Sequence, residues 1–246
     1  MDKIFGIARF SVRPGQAPAF RQKAAECMAA ARADLAGTGA YEWFMGENDS
    51  QCTVIEIYDG TEGMGRHIRQ VGKIIPQLLE HATSEVTLLG DIDDAVMAKV
   101  AGKLNAAFAG RRLHGRLTGP AAPDGTLGAN GIFTVARFRL QLGAAAGLKE
   151  LAGRAFSAVV AKEPGTIAYE WFLSNDESEV TVIEIYRDTA AMLAHSGNAG
   201  TLMKDIMSVT EDRSVQLFGG LAGEARASYT ARPGVSYVAP RLQGVL

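Results

Sequence analysis

The stretch YEWF at Tyr41–Phe44 recurs at Tyr169–Phe172, and TVIEIY at Thr53–Tyr58 recurs at Thr181–Tyr186. From Tyr41 to His67 the two copies, offset by 128 positions, are identical at fourteen of twenty-seven positions. Unrelated segments would agree at roughly one or two. The match runs back without a gap to Ala8-Arg9-Phe10 against Ala136-Arg137-Phe138. With one residue added it runs forward to Val86 against Val215, and to RLHG (Arg112–Gly115) against RLQG (Arg241–Gly244). A long period copied once means two domains and not a solenoid. The expected domains are residues 1–115 and 132–246, joined by a Gly-, Pro- and Ala-rich linker over 116–131.

Within each copy the apolar pattern alternates between strand and helix. IFGIARFSV, at the start of the first copy, reads as a strand. Leu148, Leu151, Ala152, Ala155, Phe156, Val159 and Val160 form one helical stripe, which Glu163-Pro164-Gly165 closes. AYEWF and TVIEIY are strands on either side of a polar turn, and a second helix opens at Asp188 or Thr189. VTLLG and VQLFG are a fourth strand, and a further helix is expected over residues 91–108. The order β-α-β-β-α-β is the ferredoxin-like split motif. The fold class is therefore α+β, two ferredoxin-like βαββαβ domains. Helices cover one face of each sheet, and the other apolar face needs a partner. The expectation is that the copies pair sheet to sheet as a barrel within one chain. Each tail, with its Arg112 or Arg241, is expected to cross and lie against the other copy.

Composition excludes several functions. Apolar residues make up 47% and charged residues 21% of the 246, with a net charge of −2 and a pI near 6.1. That leaves no basic footprint for nucleic acid. The apolar runs fall short of the roughly 18 residues that a membrane span needs, and no secretory signal is evident, so a cytoplasmic location is expected. Cys27 and Cys52 face Ala155 and Val180 in the repeat, so they read as small apolar residues. No phosphate loop, dinucleotide fingerprint, nucleophile elbow or metal-ligand spacing occurs, and a cofactor-free protein is expected.

Strand parity sorts the repeated polar residues. Arg9, Glu56 and Glu42, with Arg137, Glu184 and Glu170 in the second copy, are expected to form a polar line across one sheet face. This is either an ion network or the wall of a substrate pocket. Tyr58 and Tyr186 share the side of Glu56 and Glu184 and are candidates for substrate contact. Trp43 and Trp171 are candidates too, although core packing is the plainer role. His67 and His195 recur in register while their neighbours differ (Arg66 against Ala194, Ile68 against Ser196). Histidine exchanges protons near neutral pH, so each is a candidate base, with Glu56 or Glu184 orienting it or acting instead. A core histidine satisfied by backbone is the alternative. His81 and His114 lack histidine partners and read as surface residues.

The run TIAYEWFLSNDESEVTVIEIYRDTAAMLAHSGNAG, with its histidine and the following VQLFG, resembles the antibiotic biosynthesis monooxygenase family. The resemblance covers both copies, as in a tandem fusion. It implies ferredoxin-like domains paired as a dimeric α/β-barrel, here intrachain, with a pocket between sheet and helices in each copy. It also implies oxidation of anthrones, quinols or similar phenols by O2 with no metal or flavin. The partners so implied are a small aromatic substrate and O2, with a homodimer of the whole chain as a further assembly. The haem-degrading branch carries an asparagine in strand one and a haem-binding histidine further along the second helix. Here Ala8 and Ala136, and Gln77 and Asp205, stand at those positions, which argues against haem. The alternative function is a non-catalytic small-molecule-binding or stress-related barrel, or an isomerase of a small metabolite.

Overall fold

The computed structural model describes residues 3–117, 127, 130–221 and 223–246, without the side chains of residues 99 and 101–104. The linker expected over 116–131 lies largely outside them. The first copy comprises β1 (Lys3–Val12), α1 (Ala17–Arg32), β2 (Thr38–Met45), β3 (Gln51–Asp59), α2 (Gly60–Val71), α3 (Ile75–Leu79), β4 (Ala82–Leu89), α4 (Asp94–Leu104) and β5 (Ala106–Leu117). The second comprises β6 (Ile132–Leu140), α5 (Ala145–Lys162), β7 (Thr166–Leu173), β8 (Glu179–Tyr186), α6 (Thr189–Ser208), β9 (Thr210–Gly219), α7 (Gly223–Thr230), β10 (Val235–Ala239) and β11 (Arg241–Gln243).

The helices form where the periodicity places them. α1 starts with a proline in its first turn and buries Phe20, Ala24, Cys27, Met28 and Ala31, one stripe at helical spacing. α5 buries Leu148, Ala152, Ala155 and Val159, whereas Val160 is exposed, so the stripe is narrower than expected. Asp188 caps α6, its side chain accepting from the Ala191 amide at 2.8 Å. The helix expected over 91–108 is shorter. It ends at Leu104 because Asn105 takes a left-handed conformation, φ 50°, and β5 follows.

The second helix differs between copies. α6 runs unbroken for 20 residues, but the first copy splits the same segment into α2 and α3. Pro76 stands where α6 has Lys204. A proline there has no amide hydrogen to give, and its ring collides with the carbonyl four residues back, that of Gly72, where α2 stops.

The chain divides into two compact units, one of Met1–Phe108 with Ala239–Leu246 and one of Ala109–Val238. The units are not the two copies of the repeat, because each takes an edge strand from the other copy. In the first unit the strand order is β4-β1-β3-β2-β11, with Arg241 beside Phe44. In the second it is β10-β9-β6-β8-β7-β5, with Arg112 beside Phe172. The motif's four strands therefore gain an extra edge, as the crossing tails required.

Register assigns the faces. In the first unit Glu56 lies between Gly6 and Tyr41, and Val54 lies between Ala8 and Trp43. That face packs on Phe20, Ala24, Cys27 and Met28 of α1 and on Met64 of α2. The opposite face carries Phe5, Ile7, Phe44, Ile55 and Ile57, all fully buried. The second unit repeats this, with Glu184 between Thr134 and Tyr169.

Candidate functional site

The helix-side face of each unit borders a cavity. In the first unit it measures about 440 Å³ and is lined by Phe10, Trp43, Val54, Val86 and Leu88 of the sheet and by Met64, Ile68 and Pro76 of the helices. The break between α2 and α3 contributes Gly72, Ile75 and Pro76 to this wall. Phe10 and Trp43 stack with ring centroids 5.9 Å apart, and Tyr41 meets the Trp43 ring edge-on at 5.6 Å. Against this apolar wall stand Tyr41, Glu56, Tyr58 and His67.

His67 is 2% exposed, and neither ring nitrogen has a hydrogen-bond partner among the described residues. Its Nε2 lies 3.7 Å from Glu56 Oε1. The Tyr41 ring approaches it edge-on at 4.5 Å and the Tyr58 ring at 5.3 Å. Burial lowers His67 from its ordinary 6.5 to about 4, so the ring is neutral at physiological pH. Burial raises Glu56 to about 7, against which a hydrogen bond from Tyr58 acts weakly. Burial also lifts both tyrosines well above 10.

The second cavity is smaller, about 260 Å³, and is bordered by Tyr169, Trp171, Glu184, Tyr186 and His195. His195 Nδ1 lies 2.8 Å from Glu163 Oε2, and its Nε2 lies 3.4 Å from Glu184 Oε1. Glu163 also accepts from Thr166 at 2.9 Å and from Asn198 at 3.2 Å, and Glu184 accepts from Thr134. Burial alone would lower the imidazole, but the two carboxylates outweigh it and raise His195 to about 10. For both carboxylates burial acts upward, yet the bonds from His195 and their other donors hold them below the ordinary value.

The model of the family described as Antibiotic biosynthesis monooxygenase matches residues 4–68 and 131–202, together more than half of the chain. The chain belongs to the antibiotic biosynthesis monooxygenase family. No curated protein sequence matches it. Among solved structures it is similar to a candidate monooxygenase from Lactobacillus acidophilus NCFM, with a TM-score of 0.63 at 14% identity over 87% of this chain and 92% of that one. A candidate monooxygenase from Fusobacterium nucleatum gives a TM-score of 0.64 at 10% identity over 87% and 90%. At those identities the likeness is one of fold.

In this family member the repeated residues separate into two sets. Glu56, Tyr58, His67 and Trp43, and their counterparts Glu184, Tyr186, His195 and Trp171, border the cavities. Glu42, Glu170, Arg9 and Arg137 do not, and the expected polar line is not formed. Glu42 pairs in register with Ile55, and Arg9 with Thr53, so both point away from Glu56. Glu170 and Arg137 repeat this beside Ile183 and Thr181. Bringing Glu42 opposite Glu56 would take a slip of one residue between β2 and β3, and bringing Arg9 there a slip of three between β1 and β3.

Glu42 and Glu170, both 0% exposed, instead meet the tails. Arg112 clasps Glu170 with two bonds, of 2.7 and 2.8 Å. Arg241 Nε donates to Glu42 at 2.5 Å, and the amides of Val245 and Leu246 donate to its other oxygen at 2.7 Å. The glycines of RLHG and RLQG recur for the same reason. A Cβ at Gly115 or Gly244 would fall on the carboxylate of Glu170 or Glu42. For Glu42 and Glu170 the ion network is thus the alternative that the geometry fits, with Arg241 and Arg112 as the partners in place of Arg9 and Arg137. His81 and His114 are half-buried, bonded to Gln16 and stacked on Phe156 respectively. Sequence reasoning missed Glu163, which the first copy does not repeat, Leu35 standing at its position there. Its one visible role was to close α5.

Among the described residues no cluster of three metal-ligating side chains occurs, and no helix is long and apolar enough to cross a membrane.

Proposed function

We propose that the cavity of the first unit is the reaction chamber of a monooxygenase acting on a phenol-, quinol- or anthrone-type aromatic compound with O2. The observation that carries this reading is the pairing of the buried His67, whose ring nitrogens make no hydrogen bond among the described residues, with the half-buried Glu56 at the wall of an otherwise largely aromatic and aliphatic cavity. Buried polar groups without partners are costly, and a ligand that supplies the missing bonds offsets that cost. The volume lies within the roughly 300–1,000 Å³ of small-molecule sites. Trp43 and Phe10 offer a flat wall to a ring system.

Glu56, poised at about 7, is the better base of the two, because a general base works best with a pKa near the operating pH. It removes the phenolic or ring-methylene proton. The neutral His67 ring gives its one N–H to the developing oxyanion. The electron-rich anion passes an electron to O2, and the resulting radical pair joins as a C–O bond. The peroxide anion takes that proton back from Glu56, which then removes the second ring-methylene proton as the C=O bond forms and the O–O bond breaks, and the departing hydroxide takes this proton from Glu56 to leave as water. For a methylene substrate one O2 is consumed, one carbonyl oxygen is gained and one water leaves. Apolar walls keep competing water from the anion.

The test is oxygen uptake with a panel of anthrones and quinols, with ¹⁸O₂ labelling of the product carbonyl. Uptake without label in the product, or saturable binding of the panel with no uptake at all, rejects the oxygenase and leaves a binding protein.

A further inference from the structure

Resting on that reading, we infer that the proton-transfer chemistry belongs to the first unit alone, and that Glu163 is the positioning residue that fixes His195 as a structural cation in the second.

The inference comes from what the repeat does not share. Histidine, carboxylate, two tyrosines and tryptophan are common to both cavities. Position 163 is glutamate, while its counterpart at the 128-residue offset is Leu35, 41% exposed. Position 134 is threonine, while its counterpart is Gly6.

These two changes alter the hydrogen-bond arithmetic. A neutral imidazole has one donor and one acceptor nitrogen. His195 faces a carboxylate oxygen at each nitrogen, so satisfying both requires a proton on both. The doubly protonated ring has no lone pair with which to accept a substrate proton. Glu184 is similarly engaged, with His195 on one oxygen and the Thr134 hydroxyl on the other. Its charge is already compensated, which makes it a weak base. In the first unit Gly6 has no hydroxyl to offer Glu56, and Leu35 has no carboxylate to offer His67. Both groups there keep the bonding capacity that chemistry needs. The cavities follow the same division, since the unit that lacks the added glutamate and threonine also has the larger one.

Two measurements on the full chain test this. In the first, Glu56→Gln is assayed for oxygen uptake. If one unit works, turnover falls by about 10²-fold or more, the usual worth of a general base. If both work, about half survives, and the inference is overturned. The second does not need turnover. Nitrogen-edited NMR of the imidazoles should show His195 doubly protonated at pH 8 and His67 as a single neutral tautomer. Glu163→Leu should return His195 to titration in the neutral range. Glu163→Gln, which keeps the shape but not the charge, should do so in part, and it serves if the leucine variant is unstable. A wild-type His195 that is neutral at pH 8, or one unmoved by both variants, removes the lock. Absence of oxygen uptake in the wild type with an intact NMR signature removes the proposed reaction while leaving the lock in place.

Discussion

Replacing Arg112 by Met tests how the tails are held. Glu170 is fully buried, and the Arg112 guanidinium supplies two bonds to its carboxylate, of 2.7 and 2.8 Å. Methionine keeps much of the arginine stem but takes both guanidinium bonds from a carboxylate in a site closed to water. Breaking a buried pair from one side costs about 3–5 kcal/mol. In a chain of this size each kcal/mol moves Tm by about 2–4 °C, so Arg112→Met should lower Tm by roughly 6–20 °C. The expectation for the pair is different. Replacing both members by apolar residues of similar volume is often neutral or stabilising. Arg112→Met with Glu170→Met should therefore recover most of the loss. The assay is a double-mutant cycle by thermal and urea unfolding at pH 7. A loss below about 2 °C for the single variant would show the carboxylate finding water or a proton at little cost. A double variant as unstable as Arg112→Met would show the arginine acting by packing. Either result defeats the reasoning.

Removing residues 239–246 should strip β11, Arg241 and two amide donors from Glu42, and hydrogen exchange should rise in β2 while β7 stays protected. The kcat/KM of the proposed oxidation should rise with pH through about 7 as Glu56 ionises, and Glu56→Gln should abolish that inflection. His195 is held protonated up to about 10 against an ordinary 6.5, so its contribution to stability is complete below pH 6.5 and is lost as pH climbs toward 10. Unfolding curves of His195→Gln across that window should lack this alkaline loss. His67 works in the opposite sense. Its lowered value means that stability falls as pH drops from 6.5 toward 4, which His67→Gln should relieve.

The duplication made the fold legible, because identity at a fixed offset gave two copies of one strand-helix order. The crossing tails were legible too, through Arg112 and Arg241 repeating outside the motif. Register was not legible. Glu42 and Glu56 each sit in a strand of alternating character, and a slip of one residue exchanges cavity for opposite face. The histidines were found as repeated residues, but their states were not. Those depend on Glu163 and Thr134, and a comparison that looks for identity passes over the positions where copies differ. Pro76 was likewise visible as a residue, yet the cavity wall it helps to form arises only from the interrupted helix.

The exchange of edge strands sets an order on how the protein comes into being. Residues 1–108 emerge from the ribosome early, but the strand that seals β2 is made of residues 241–243. The Arg241–Glu42 bond spans 199 positions. Until residues 241–243 have been made, therefore, the first unit holds an open sheet edge and an uncompensated carboxylate, the conditions under which chains pair wrongly with one another. The second unit meets no such delay, since β5 precedes β7 and is waiting when β7 appears. Of the two units, the one begun first is thus completed second, and residues 241–246 act as a closing latch on the unit that carries Glu56 and His67.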